Sequence, residues 1–256
     1  MRWVEYIKHR LAASRYGGAM TEWRARWKVV RGMHEPAMYE EHASIGRLIE
    51  RVVNSDTNCL DVGCHFGGTI GEFVRLAPGG THAMVEPLAY KAAWLRKRFK
   101  GVALHECCVG EEDGEVTFYL DVKRSGYSGM SKPSADGSGL REYTVPCRRL
   151  DDLVNEATRI GFIKMDVEGA ELFALRGAGR ILKNDRPVVL FECTPAPCER
   201  MGYGVGELFD LFESLGYDVY FPRDYVRDGI PLDRQRFVDA TRYPVNARNC
   251  VAAPKP

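Results

Sequence analysis

Long apolar runs are missing from this sequence. No stretch approaches the ~18 consecutive apolar residues that a membrane span needs. The first ten residues, MRWVEYIKHR, lack the unbroken apolar core of a secretory signal. An excess of either charge is missing too: 36 Lys and Arg are matched by 35 Asp and Glu, for a net of +1. Nothing global therefore attracts the chain to nucleic acid. The eight cysteines form no CxxC pair and no zinc-like set of spacings, and Cys107 and Cys108 are adjacent. Reduced thiols in a cytosolic protein are the expectation. No internal repeat is visible. With 256 residues and 45% apolar content, the chain suits one sizeable domain with appendages.

What charge asymmetry exists is concentrated at the start. Residues 1–31 hold eight Lys and Arg against Glu5 and Glu22, and three of the four tryptophans. Trp3, Ile7 and Leu11, then Trp23 and Trp27, recur at four-residue spacing, which predicts helix. The expected organisation is a basic helical extension over 1–34 and one domain over 35–256. The extension would pack on the domain or on a second copy of the chain, or meet anionic lipid headgroups at the inner membrane face. Pro36 stands where a helix begins, and EPAMYEEHASIGRLIERVV runs amphipathically to Val53.

From residue 57 apolar strands alternate with helical stretches. NCLDV, THAMVE (81–86), VALHECCV (102–109), EVTFYLDV (115–122), GFIKMDV (161–167) and RPVVLFEC (186–193) read as strands. Helices are predicted over 67–77, from Pro87 to about Phe99, through AELFALRGAGRILK, and near 206–215. This is the pattern of an α/β protein with a doubly wound, mostly parallel sheet, in which YDVYF and NCVAA add antiparallel at an edge. Ligands in such sheets lie beyond the carboxyl ends of the strands. Asp61 to Gly68, Glu86, Cys107 to Val109, Asp166 to Glu171 and Glu192 are then the residues of interest.

The turn LDVGCHFGG argues for a particular ligand. A dinucleotide fingerprint needs a glycine where this chain has His65, because a side chain there obstructs the pyrophosphate. No Gly-Lys-Ser/Thr follows, so a P-loop is excluded as well. A nucleoside ligand without phosphate remains, and S-adenosylmethionine (SAM) leads. Glu86, 25 residues after Asp61, ends the next strand, where a carboxylate accepts hydrogen bonds from ribose hydroxyls. The plainer alternative is a tight strand–helix turn with Glu86 as a helix-start acid.

Together LDVGCHFGG, VEP, CCVGEEDGEVTFY and IKMDVEGAELFALRGAGRIL with PVVLFE resemble the FkbM family of SAM-dependent methyltransferases, over roughly residues 35–220. The resemblance implies a class I methyltransferase (Rossmann-like) fold and O-methylation, often of sugar hydroxyls in glycolipids, polysaccharides or secondary metabolites. It also implies that Asp61, Gly63 and Gly67 shape the cofactor turn and that Glu86 holds the ribose. Backbone at Cys107, Cys108 and Val109 would flank the adenine, and Asp166 would lie beside the methionine portion and the methyl group. One departure stands out. The family's turn usually reads Asp-Val-Gly-Ala-Asn, where this chain has Cys64 and His65 after Gly63. His65 can still donate a hydrogen bond to the cofactor, with a charge that varies with pH.

Transfer to an alcohol needs a base or a bound metal, because the oxygen must lose its proton as the new bond forms. The candidates are Asp166, Glu168 and Glu192, with His34 just before Pro36 as another base. Asp166 and Glu192 are also candidate ligands for Mg²⁺. Glu168 and Glu171, three apart at a helix start, could share a side or could simply complement the helix dipole. DVEG stands where amine methylation favours a polar-Pro-Pro-aromatic turn, which points away from adenine or amide acceptors. Residues 124–140, with five serines and four glycines, are the expected acceptor lid. The expected partner is a free or lipid-linked saccharide. RNA methylation, a SAM-binding protein without turnover and a nicotinamide oxidoreductase are the alternatives, the last opposed by His65.

Overall fold

The protein is described by a computed structural model that covers residues 36–132, 139–242 and 248–256. The basic extension, His34 and the middle of the serine–glycine stretch (133–138) lie outside the described residues. Helix α1 (Pro36–Val52) leads into strand β1 (Asn58–Val62), α2 (Gly68–Leu76), β2 (Ala83–Val85), α3 (Ala89–Arg98) and β3 (Ala103–His105). Then follow β4 (Cys108–Val109), β5 (Gly114–Asp121), β6 (Leu140–Arg148) and α4 (Leu150–Leu153). The second half runs β7 (Ile160–Met165), α5 (Glu171–Arg176), β8 (Val188–Glu192), α6 (Pro195–Arg200) and α7 (Gly206–Ser214). It closes with β9 (Tyr217–Tyr220), α8 (Pro222–Val226), α9 (Arg234–Ala240) and β10 (Asn249–Pro254).

Seven strands form the main sheet in the order β3-β2-β1-β7-β8-β10-β9. Five of them, β3 to β8 in that order, are parallel neighbours, whereas β10 runs antiparallel to both β8 and β9. The antiparallel strand is thus inserted one place in from the edge. The central strands are mainly apolar on both faces because helices cover both sides. Alternation sends Cys59, Phe162, Leu190 and Val251 to one face, against Leu48 of α1, Ile70 and Phe73 of α2 and Leu95 of α3. It sends Leu60, Ile163, Phe191 and Cys250 to the other, against Leu175 of α5, Phe212 of α7 and Phe237 of α9. The chain order reverses between β1 and β7. A crevice opens there, beyond the strand ends.

Two predicted elements are corrected. Residues 102–109 are not one strand: β3 stays in the main sheet, while β4 leaves it and pairs in parallel with β6, which is antiparallel to β5. The run is apolar except for His105 and Glu106, and these two polar residues fall where the chain changes sheet. The helix through AELFALRGAGRILK is also broken, into α5 and a π-type turn over Ile181–Asp185. Gly177 sits in the break, where an added Cβ would lie 2.0 Å from the Gly110 carbonyl oxygen. Among the described residues, no helix is long and apolar enough to cross a membrane.

Candidate functional site

The turn after β1 is shaped by left-handed backbone. Gly63, His65 and Gly67 have φ of 74°, 52° and 77°. The amides of Gly63 and Cys64 both donate to the Val85 carbonyl, at 3.0 and 3.1 Å, which pins the turn to the end of β2. At Gly63 an added Cβ would lie 1.8 Å from the Asp166 carbonyl oxygen, so the ends of β1 and β7 approach closely only because that residue is glycine. The left-handed region also gives His65 a conformational reason. Asn, Asp and His are enriched there, so histidine carries no backbone penalty peculiar to it.

A cavity of about 270 Å³ opens above this turn, lined by Gly63, His65, Glu86, Cys107 to Val109, Asp166 and Glu168, among others. Asp61 and Gly67 do not line it. Asp61 is fully buried beneath the turn, and its Oδ2 accepts the Ile70 amide at 2.9 Å, so it anchors the start of α2. Gly67 makes room for the Phe99 ring, which an added Cβ would meet at 2.4 Å. Both shape the turn from behind rather than face a ligand.

Glu86 is 3% exposed. Its Oε2 accepts the His65 amide and its Oε1 the Leu88 amide, each at 3.1 Å, and the Lys91 ammonium lies 3.8 Å from Oε1. Burial pushes this carboxyl up, opposed by Lys91 and by the two amides. Lys91 is itself 2% exposed, lines the cavity, and donates to the Ser125 carbonyl at 3.4 Å. Sequence reasoning missed it. The signal was the spacing of Leu88, Lys91 and Leu95, which places a lysine on the buried face of α3.

The serine–glycine stretch forms a wall of the same cavity. Ser125, Gly126, Ser128 and Met130 line it, and the Ser125 hydroxyl lies 3.1 Å from His65 Nε2. Gly129 bridges back to Tyr119 and sits against Glu168. The first half of the expected acceptor lid is therefore placed against the cofactor turn as well.

At the far side of the crevice three carboxyls converge. Oxygens of Asp166, Glu168 and Glu192 all lie within 4.8 Å of one another. Asp166 follows β7, Glu192 ends β8, and Glu168 sits in a tight loop where it and Gly169 have φ of 54° and 99°. Glu192 does not line the cavity; it stands behind Asp166. Burial, then the neighbouring Asp166 and Glu171, push Glu168 up to about 8. Burial, Asp166 and Glu168 push Glu192 further still. Glu171 is a separate case. It is 1% exposed, and its oxygens accept the Val167 and Gly169 amides at 3.0 Å each, so it clasps the loop that presents Glu168. Burial pushes it up to about 7 despite those amides. Beneath the cluster lies a residue absent from the predicted set, Lys164, whose Nζ is 3.3 Å from Asp166 Oδ2.

The sheet order and glycine turn define a class I methyltransferase fold. Residues 61–219 match the family described as the methyltransferase FkbM domain, and the chain belongs to that family. A curated protein, "Methyltransferase 1" from Beauveria bassiana (strain ARSEF 2860), is 28% identical over 138 residues, 43% of this chain. The match spans 55% of that protein, about half its length. Among solved structures, methyltransferase FkbM from Methylobacillus flagellatus KT aligns at TM-score 0.47 and 19% identity, over 78% of this chain and 44% of that one. A SAM-dependent methyltransferase from Geobacter sulfurreducens, solved with S-adenosyl-L-homocysteine, aligns at TM-score 0.38 and 15% identity, over 76% and 71%.

Proposed function

We propose that this chain is a SAM-dependent O-methyltransferase whose acceptor is a hydroxyl of a saccharide, glycolipid or glycosylated metabolite. The observation that carries the reading is the placement of Asp166 and Glu168 in the wall of the cavity that opens over the glycine turn. Base and cofactor turn share one crevice. When bound, SAM supplies a methyl carbon on positively charged sulfur, which passes to the acceptor oxygen by in-line displacement. The chain's residues suit such a ligand. Glu86 keeps unshared lone pairs for ribose hydroxyls beyond the two amides it already accepts. The Cys108–Val109 segment offers backbone to an adenine edge, and His65 replaces the glycine that a pyrophosphate needs.

Aligning oxygen, methyl carbon and sulfur is worth several kcal/mol in rate. The acceptor's proton goes to the carboxyl cluster, with Asp166 as the receiving group and Glu168 and Glu192 sharing its hydrogen bonds. The same three carboxyls are a hard donor set of the type that holds Mg²⁺, and an ion held there would acidify the acceptor hydroxyl. We further take the acceptor to be met in the cytoplasm, free or lipid-linked at the inner membrane face, with the basic residues 1–31 as the membrane or self-association contact.

The test is calorimetric titration with S-adenosylhomocysteine, with NADH in parallel, followed by SAM consumption with candidate glycans. Micromolar binding of S-adenosylhomocysteine alone is expected, and binding of NADH alone would overturn the reading. Turnover with RNA but not with glycans would move the acceptor class. Turnover that survives EDTA would remove the metal.

A further inference from the structure

Lys164 and Asp61 are direct partners in the parallel pairing of β7 with β1, so their side chains share one face of the sheet. The lysine side chain is 15% exposed and reaches up beneath the cofactor turn. Its Nζ donates to the Gly63 carbonyl at 3.2 Å and lies 3.3 Å from Asp166 Oδ2 and 3.7 Å from Asp61 Oδ1. Asp61 Oδ1 is buried with no hydrogen-bond partner, and the Lys164 ammonium is the cation beside it. Two of the oxygens belong to the β1 segment, Asp61 in the strand and Gly63 in the turn, and the third to the candidate base after β7, so the ammonium bridges the two segments.

We propose that Lys164 is the positioning residue of the site: one ammonium ties the cofactor turn at Gly63 to the candidate base Asp166 and sets the distance between them. Removing it would leave Asp61 with no countercharge and take away the side-chain tie between the Gly63 carbonyl and the Asp166 carboxylate, leaving the backbone pairing of Val62 with Asp166. Surface ion pairs are worth little, but this one is enclosed, bonded to a carbonyl and shared between two acids.

The inference rests on the SAM reading of the site, and the experiment separates the two. S-adenosylhomocysteine is titrated into the wild-type protein and into K164M, K164R, D61N and K164M/D61N, with thermal unfolding of each. The wild type is expected to bind, K164M to bind about tenfold more weakly or worse, and K164R to recover most of the affinity. The double variant removes one charge of each sign, so it is expected to unfold near D61N yet bind tenfold more weakly than D61N. That arm holds even if K164M alone fails to fold. Equal affinity of the double variant and D61N would overturn the positioning role, as would failure of K164R to recover binding. A wild-type protein that does not bind S-adenosylhomocysteine would overturn the proposed function and take the Lys164 assignment with it.

Discussion

The carboxylate of Glu86, at the end of β2, accepts the backbone amide of His65, in the turn after β1, at 3.1 Å. One side chain therefore organises the turn and faces the cavity. Glu86→Ala removes both functions, leaving the His65 and Leu88 amides without their acceptor. A charged hydrogen bond is worth about 1.5–3 kcal/mol, so losing the one Glu86 would give a ribose hydroxyl is expected to lower S-adenosylhomocysteine affinity by roughly 10- to 100-fold. Glu86→Gln keeps an acceptor oxygen and should lose less. Calorimetry on the two variants checks this, and unchanged affinity in Glu86→Ala would remove Glu86 from the cofactor site.

The left-handed backbone at His65 makes a second prediction. A β-branched residue there meets its own backbone, at a cost of about 1–2 kcal/mol. His65→Val is thus expected to lower the free energy of urea unfolding by that amount and to lose the contact with Ser125. His65→Asn tolerates φ of 52° and should unfold within about 0.5 kcal/mol of the wild type. Equal destabilisation by both would show that the imidazole, not the backbone, governs the position.

How much of this was legible beforehand depends on what each residue does. The strand–turn–strand spacing of Asp61, Gly63 and Glu86 located the crevice, because periodicity and glycine position are local signals. That Asp61 shapes the turn was implied by the resemblance, but that it does so from behind, by accepting an amide of α2, was not legible. A buried acid that accepts an amide from α2 and an acid that faces a ligand look the same in the string LDVG. Lys164 was missed for a related reason: its partners at Gly63 and Asp61 are about a hundred residues away, and only strand register brings them together. The departure of β4 from the main sheet was marked only by His105 and Glu106 in the middle of VALHECCV, too short an interruption to separate two strands. Three carboxyls at the ends of neighbouring strands could be named from sequence, but their separation could not.

Glu168 links the cluster to pH-dependent stability. Its folded-state pKa is raised from 4.5 to about 8, so the folded protein binds that proton more tightly than the unfolded chain. The stabilisation is complete below about pH 4.5 and is lost as pH rises towards 8. Glu171, raised to about 7, and Glu192 act in the same direction, while Lys164 and Arg200 oppose it for Glu168. The free energy of urea unfolding is expected to fall from pH 5 to pH 8.5, and Glu168→Gln to flatten that fall by an amount on the order of 1–3 kcal/mol. An identical slope in the variant would show that Glu168 does not hold its proton in the folded state.

Gly63 carries the most severe prediction. The Asp166 amide donates to the Val62 carbonyl at 3.0 Å, so β1 and β7 are still paired at the point where Gly63 passes the Asp166 carbonyl. An added Cβ, 1.8 Å from that oxygen, cannot be accommodated by rotating a side chain; backbone must move. The φ of 74° adds its own strain for alanine. Gly63→Ala is expected to cost about 3 kcal/mol or more and to abolish S-adenosylhomocysteine binding, since the turn and Asp166 separate together. Gly68, five residues on, is the control. Nothing lies within 4 Å of its added Cβ, and it opens α2. Gly68→Ala should therefore be neutral or stabilising by up to about 1 kcal/mol. If Gly63→Ala unfolded at the same urea concentration as Gly68→Ala and still bound the cofactor product, the close passage of the turn over Asp166 would not be the feature that shapes this site.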